Sequence, residues 1–263
     1  MTSPMHPIVA APALVTGLQE RAARAFPVPR LDRRHGWWLR HGDSSAWWAS
    51  SVLPHRDAAP GELPRRIRAA QEFYAGHGAP ARFQISPGAC PAHLDAALAE
   101  RAYRSHSPMS LQSARTSHVL DRLPTADVPI RIEDRPTDVW FQTWLAVHGV
   151  GADPGPEWDL LHRVDRPSAY VSVLTGGEVV AVGRAVADTG WAGVFGMATL
   201  PHARGAGGAR RVLAALARWA ARHGAAAMYL QVECDNTPAQ RLYDRAGFTE
   251  VCRYHYRTAE APG

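Results

Sequence analysis

Hydrophobic and polar positions follow two rhythms along this chain, one of period two and one of period 3.6, and their alternation predicts a mixed α/β protein. From Ser168 onward the order is strand, hairpin, strand, helix, strand, helix, strand. Ala169 to Leu174 and Val179 to Val186 read as strands joined at Thr175-Gly176-Gly177, where glycines are free to take positive φ. Trp191 to Leu200 makes the next strand, after Asp188-Thr189-Gly190. A long helix is predicted from Gly207 to Arg222: Val212, Leu213, Leu216, Trp219 and Ala220 form its apolar stripe, and Arg210, Arg211, Arg218 and Arg222 its wet face. His223-Gly224 supplies the stop, as His77-Gly78 does earlier in the chain. Ala227 to Val232 reads as a buried strand, Pro238 to Arg245 as a short helix closed by Gly247, and Phe248 to Arg257 as a last strand.

The first half carries a fainter copy of this string. Trp37 to Arg40 and Ala46 to Leu53 read as strands, Leu63 to Tyr74 as a helix and Arg82 to Ile85 as a strand. Ala92 to Arg101 reads as a helix and Met109 to Gln112 as a strand. Leu53-Pro54-His55 matches Leu200-Pro201-His202 and Ala102-Tyr103 matches Gly247-Phe248, at offsets of 147 and 145 residues. Nearly constant offsets with one element order between them point to an internal duplication. The predicted layout is a first domain over 1–114, a linker over 115–129 holding Ser117, Pro124 and Pro129, and a second domain over 130–263. Asp138 to Val147 is expected as that domain's first helix, and Gly149 to Pro156 as a flexible stretch beside the substrate cleft. Trp37-Trp38 and Trp47-Trp48, on adjacent strands, should place one ring of each pair outward, chiefly for packing between the domains.

Composition narrows the class. The chain has 263 residues, enough for two ordinary cores, with 46% hydrophobic and 20% charged residues. No apolar run is long enough to span a bilayer, and Met1 to Ala13 lacks the basic start of a signal peptide, so a cytoplasmic protein without membrane partners is expected. Three cysteines, Cys90, Cys234 and Cys252, do not make a disulfide framework. Cys90 and His93 have ligand-like spacing, but no second pair follows, so no metal is expected. The net charge is +5 and every basic side chain is an arginine. These arginines are scattered singly and in pairs, which suits a phosphate-rich cofactor better than nucleic acid.

The candidate chemistry lies in the second half. Arg204-Gly205-Ala206-Gly207-Gly208-Ala209 sits between a strand and a helix, where glycines let the backbone approach a phosphate and the helix start offers free N–H groups. It lacks the Lys-Ser/Thr of a nucleotide-hydrolysing loop and the spacing of a dinucleotide fingerprint. Residues 197–209, Met-Ala-Thr-Leu-Pro-His-Ala-Arg-Gly-Ala-Gly-Gly-Ala, resemble the strand and Arg/Gln-x-x-Gly-x-Gly/Ala loop of the GNAT superfamily of N-acyltransferases. Asn236-x-x-Ala239-x-x-Leu242-Tyr243-x-x-x-Gly247-Phe248 is similar to that superfamily's second signature.

The resemblance implies tandem GNAT-like domains, each a mixed, mostly antiparallel sheet flanked by helices, with acetyl-CoA as cosubstrate. Met197, Ala198 and Thr199 would pair with the pantetheine arm, and one of their N–H groups would hold the thioester oxygen. Arg204, Gly205, Ala206, Gly207, Gly208, Ala209 and Arg210 would form the pyrophosphate loop. Asn236 would steady the cofactor arm, and Tyr243 would stand beside the sulfur as proton donor. For the base, Glu233 is the first candidate and His202 and Asp235 weaker ones; a surface or an ion-paired carboxylate is the alternative reading of Glu233. The matching loop of the first half, Arg56-Asp57-Ala58-Ala59-Pro60-Gly61, has an anion and a proline where the second has glycines, and so reads as a degenerate copy. The expected reaction is acetyl transfer to a small-molecule amine by a monomer or homodimer. A protein N-terminus or lysine is the alternative acceptor, and a non-catalytic acyl-CoA-binding module the alternative of another class.

Overall fold

The computed structural model describes residues 11–43, 46–123, 129–149 and 153–259. The described residues begin with α1 (Pro12–Arg24), then β1 (Arg30–Arg34), β2 (Trp37–His41), β3 (Val52–Leu53), α2 (Leu63–Ala75), β4 (Arg82–Ile85), α3 (Leu94–Ala99) and β5 (Tyr103–Arg115). Next come α4 (Thr116–Arg122), β6 (Ile130–Glu133), α5 (Asp138–His148), α6 (Gly155–His162), β7 (Ser168–Thr175), β8 (Glu178–Asp188) and β9 (Trp191–Thr199). Last are α7 (Gly208–Arg222), β10 (Ala227–Glu233), α8 (Thr237–Ala246) and β11 (Thr249–Ala259).

The strands make one mixed sheet in the order β1-β2-β3-β4-β11-β5-β10-β9-β8-β7-β6. The two halves exchange their last strands: β5 lies between β10 and β11, and β11 lies between β4 and β5. All pairings are antiparallel except β3 with β4 and β9 with β10, which occupy matching places in the two halves. The landmarks match in conformation too. Ala102 and Gly247 both take left-handed φ, at 59° and 91°. His77 and His223 each donate a ring N–H to the carbonyl four residues back, at 2.7 and 2.9 Å. The helix-stopping role expected for both histidines is thus visible in their bonds.

Helix α7 covers one face of the sheet with a core of Val212, Leu213, Leu216, Val171, Leu230 and Val232. Helices α1 and α5 cover the opposite face, α1 through Val15, Leu18 and Ala22 and α5 through Trp140 and Phe141. Helix α1 ties the halves together. Its Gln19 accepts from Gln231 Nε2 of β10 at 2.6 Å and donates to Ser86 Oγ at 3.2 Å. At its end Ala25 O accepts from Arg184 of β8 at 2.8 Å, and that fully buried guanidinium lies 4.2 Å from the Phe26 ring and 5.2 Å from the Phe195 ring.

Several expectations change. Of the stretch expected as a linker, Arg115 ends β5 and Thr116–Arg122 form α4, whose Val119 is buried in the α7 core; 124–128 lie outside the described residues, as do 1–10 at the expected N-terminus. The strand expected over Ala46 to Leu53 is a turn through Trp47–Ala49 and only two strand residues, Val52–Leu53, while 44–45 are outside the description. The turn lets Trp48 pack edge-on against Phe26 at 4.4 Å, and Phe26 meets Phe195 of β9 at 5.0 Å. Trp48 therefore packs at the seam between the halves. Of the stretch Gly149 to Pro156, residues 150–152 are outside the description, and Gly155-Pro156 begins α6, proline being at home in a first helical turn.

A fragment of residues 129–263 would lack β5, leaving β10 and β11 without a partner between them and exposing long edges. Expressed alone it is expected to aggregate, and coexpression with residues 1–128 should restore a soluble complex. Size-exclusion chromatography and far-ultraviolet circular dichroism check this; a monomeric, cooperatively unfolding fragment would contradict the exchange.

Candidate active site

The site begins where a strand pair comes apart. β9 and β10 pair in parallel from Trp191↔Ala227 to Val194↔Leu230, and their pairing ends there. Beyond that point β9 stays with β8, through Ala198↔Val182 and Thr199↔Ala181, and β10 stays with β5, through Gln231↔Leu111, Val232↔Ser110 and Glu233↔Met109. A wedge opens between two strands that each have a partner only on the far side. A bulge in β9 sits at its apex: between Phe195 and Ala198 it has two residues where β8 has only Gly183. Gly196 absorbs the extra residue with φ 60°, and a Cβ there would stand 3.3 Å from Trp140.

Met197, Ala198 and Thr199 form the β9 lip. Ala198 is buried with Trp140 on the α5 face, and Met197 packs with the α7 core on the other. Thr199 Oγ1 is buried without a hydrogen-bond partner among the described residues. It lies beside Gly208, where an added Cβ would come within 2.9 Å of the Ala181 Cβ. Gly205 and Gly207 both sit at φ 81°, in the left-handed region that β-branched side chains rarely enter. The first helix-type bond runs from Arg211 N–H to Gly207 O at 3.1 Å, so the N–H groups of Gly205, Ala206, Gly207, Gly208, Ala209 and Arg210 stand ahead of the ladder. Arg211 Nη1 donates to Ala206 O at 2.7 Å, and Arg204 is exposed in extended conformation. Unpaired N–H groups, a positive helix end and an orphaned hydroxyl together fit the pyrophosphate and arm of acetyl-CoA.

The first half's loop lacks these open donors. There Ala58 N–H donates to Asp57 Oδ1 at 2.8 Å and Ala59 N–H to Glu62 Oε2 at 3.2 Å.

Beside the α7 start, a cleft of about 350 Å3 is lined by Arg122, Arg210, Arg241 and Arg245 together with Leu242. None of these arginines pairs with a carboxylate among the described residues. Guanidinium groups gathered in this way suit phosphate oxygens. Only Arg210 was expected there from the sequence; Arg241 and Arg245, four apart on α8, were legible as a basic stripe.

Tyr243 on α8 is buried, 5.9 Å from the Phe248 ring, in the same apolar cluster that Met197 packs against. Burial pushes its phenol up to about 12, so it stays protonated at neutral pH. Asn236 caps α8, its Oδ1 accepting from Ala239 N–H at 3.2 Å. Glu233, at the end of β10, is exposed and in no ion pair among the described residues. His202 is on the surface with Nε2 3.6 Å from Glu178 Oε2, and Asp235 is exposed in the turn before α8. One neighbour was not anticipated. His148, the last residue of α5, donates from Nε2 to Met197 O at 3.3 Å, with its ring 5.2 Å from that of Trp144. A lone histidine at a helix end gave no sequence signal of its own.

Among the described residues no three His, Cys, Asp or Glu side chains gather as a metal site, and no helix is long and apolar enough to cross a membrane.

The splayed strands, the bulge and the glycine loop define an N-acetyltransferase of the GNAT type. Residues 13–257 match the family model "Probable histone acetyltransferase Rv0428c C-terminal", and the chain belongs to that family. It is 25% identical over 242 residues to "Uncharacterized N-acetyltransferase YobR" of Bacillus subtilis (strain 168), covering 91% of this chain and 96% of that one. A GCN5-related N-acetyltransferase from Kribbella flavida has the same fold, with TM-score 0.70 and 18% identity over 97% of both chains. So does a tandem GNAT protein from the clavulanic acid biosynthesis pathway, at TM-score 0.60 and 14% identity over 96% of this chain and 98% of that one.

Replacing Gly207 with valine puts a β-branched side chain at φ 81° and costs about 1–3 kcal/mol in the loop. Acetyl-CoA affinity should fall at least tenfold, read by isothermal titration calorimetry, with an unchanged circular dichroism spectrum. Unaltered affinity would sink the loop assignment.

Proposed function

We propose that the chain binds acetyl-CoA along the β9 lip and the Gly205–Arg210 loop and passes its acetyl group directly to a primary amine of a small molecule. The observation that carries this reading is the contrast between the loops. The N–H row ahead of α7 is open beside an orphaned Thr199 hydroxyl, whereas the corresponding donors of the first half are taken by Asp57 and Glu62. The first half is thus a degenerate copy that leaves one active site per chain.

Acetyl-CoA supplies an activated acyl group and a thiol leaving group. The side chains of this chain do the rest. A backbone N–H of Met197, Ala198 or Thr199 holds the acyl oxygen, and such a donor contributes about 3 kcal/mol where negative charge develops. Tyr243 Oη keeps its proton until the sulfur departs, because burial disfavours the phenolate. Asn236 holds the start of α8, and with it Tyr243, in place. Glu233 stands at the open end of the wedge, on the acceptor side. The four-arginine cleft takes the remaining phosphate of the nucleotide end.

A small acceptor suits the walls. α1 and the Trp47–Ala49 turn bring the first half over the sheet face opposite α7, through the Trp48–Phe26–Phe195 stack. The family description, which names a probable histone acetyltransferase, favours a second reading with a protein lysine or N-terminus as acceptor. A thiol-release assay with acetyl-CoA over small amines and over peptides separates the two. Turnover of free amines with none of peptides supports the first reading, and the reverse supports the second. In either case Tyr243→Phe should lower kcat about 100-fold while acetyl-CoA affinity stays within threefold. An unchanged kcat would remove Tyr243 from the proton path.

A further inference from the structure

His148 is the titratable side chain that hydrogen-bonds the β9 lip from the face opposite Tyr243. Its element, α5, packs on that face through Trp140 and Trp144 against Ala198 of β9, whereas Tyr243 belongs to the α7 cluster. Its Nε2 is tied to Met197 O at 3.3 Å. A carbonyl only accepts, so Nε2 carries the hydrogen and the neutral ring presents Nδ1 as a lone-pair acceptor. Nδ1 makes no hydrogen bond among the described residues. The residue is exposed, at the end of its helix, so a proton taken there can pass on to water.

The charges around the ring agree with this use. Surrounding protein holds His148 below the ordinary imidazole value by desolvation, while the Met197 carbonyl and the carboxylate of Glu233 pull the other way. Glu233 is the charged group across the wedge whose field reaches it among the described residues. The result is an imidazole that is neutral near pH 7 and has an anion close enough to favour its protonated form for a moment.

We infer that His148 Nδ1 accepts the proton of the acceptor amine, with Glu233 as a positioning residue that stabilises the imidazolium across the wedge; this rests on the acetyl-transfer reading. The balance is simple. The amine nitrogen forms the C–N bond as the C–S bond breaks, its proton goes to His148 Nδ1 and then to solvent, and the sulfur takes the proton of Tyr243 Oη. Tyr243 is then reprotonated from solvent. The proton leaves on the α5 face of the sheet and arrives on the α7 face, so the two transfers do not compete for one group. This reading turns Glu233, the first candidate from the sequence, from the base itself into the base's counter-charge.

The test uses the full chain, acetyl-CoA and whichever amine the wild type turns over fastest. His148→Ala and His148→Gln are both expected to lose about 100-fold in kcat, with acetyl-CoA affinity within threefold of wild type. Glutamine keeps an N–H for Met197 O but accepts no proton at working pH. It should therefore fail to rescue, and the acid-side bend of kcat below the ordinary imidazole value should vanish. Glu233→Gln should retain more activity than either variant and move that bend to lower pH, because removing the anion disfavours the imidazolium. If His148→Gln keeps pace with wild type, or rescues where alanine fails, this assignment is overturned and the histidine only braces the bulge. If the wild type releases no thiol with any amine or peptide, the acetyl-transfer reading fails, and this one with it.

Discussion

The antiparallel pairing of β5 with β11 at the middle of the sheet fixes where everything else stands. Each of these strands is long, each ends its own half of the sequence, and each has its other edge on a strand from the opposite half. A sheet built this way has no natural cut. Hydrogen bonds across β4, β11, β5 and β10 alternate between the halves, so separating them breaks three pairings and exposes six strand edges at once. The duplication therefore yields two similar strings of elements joined into one folding unit.

That pairing also explains the wedge. In a parallel pair such as β9 and β10, separation midway would leave both strands without partners on the inner side and pull them back together unless each were held from outside. β8 holds β9 through Ala181↔Thr199, and β5, borrowed from the first half, holds β10 through Met109↔Glu233. One further bond, Cys234 N–H to Pro108 O at 2.9 Å, carries the grip past the end of β10. The first half thus contributes to the site mechanically, by keeping one lip of the wedge in place. Its α1 does the same from the face opposite α7, bonding Gln231 on β10 and, through Ala25 O, Arg184 on β8.

The parts legible in the sequence were those whose signal is local. The α7 stripe, the glycine loop and the α8 signature each specify their own conformation: left-handed φ at Gly205 and Gly207, a capped start at Asn236, a left-handed stop at Gly247. What was missed is non-local or masked by punctuation. Helix α4 lay in a stretch read as a linker because of its following prolines, although Val119 is buried in the α7 core. Helix α1 carries an apolar spacing in Val15, Leu18 and Ala22, but Pro4, Pro7 and Pro12 interrupt the pattern around its start. The Trp47-Trp48 pair has strand-like residues, yet tertiary packing on Phe26 and Tyr256 overrides that preference and bends it into a turn. No local pattern says that β5 and β11 trade places, since alternation specifies which face is buried and not which strand lies alongside. His148 is the same case at the scale of one residue: its partner, Met197 O, is 49 positions away.

The asymmetry between the two loops follows from one physical difference. A helix start needs its N–H groups satisfied by something, and the sequence chooses between a resident partner and a visiting one. At Ala58 and Ala59 the choice is resident: the side chains of Asp57 and Glu62 fill the donors, and Arg66 then satisfies Glu62 at 2.8 Å and Asp57 O at 3.1 Å. At Gly205 to Arg210 no side chain from the loop returns to the N–H groups, there is no acidic residue in the first turn, and basic side chains surround the opening. Self-capping gives the first half's donors partners of their own. The open loop leaves the second half with helix-end N–H groups that, on the proposed acetyl-transfer reading, a phosphate-bearing ligand completes, and β5 from the first half holds β10 beside it.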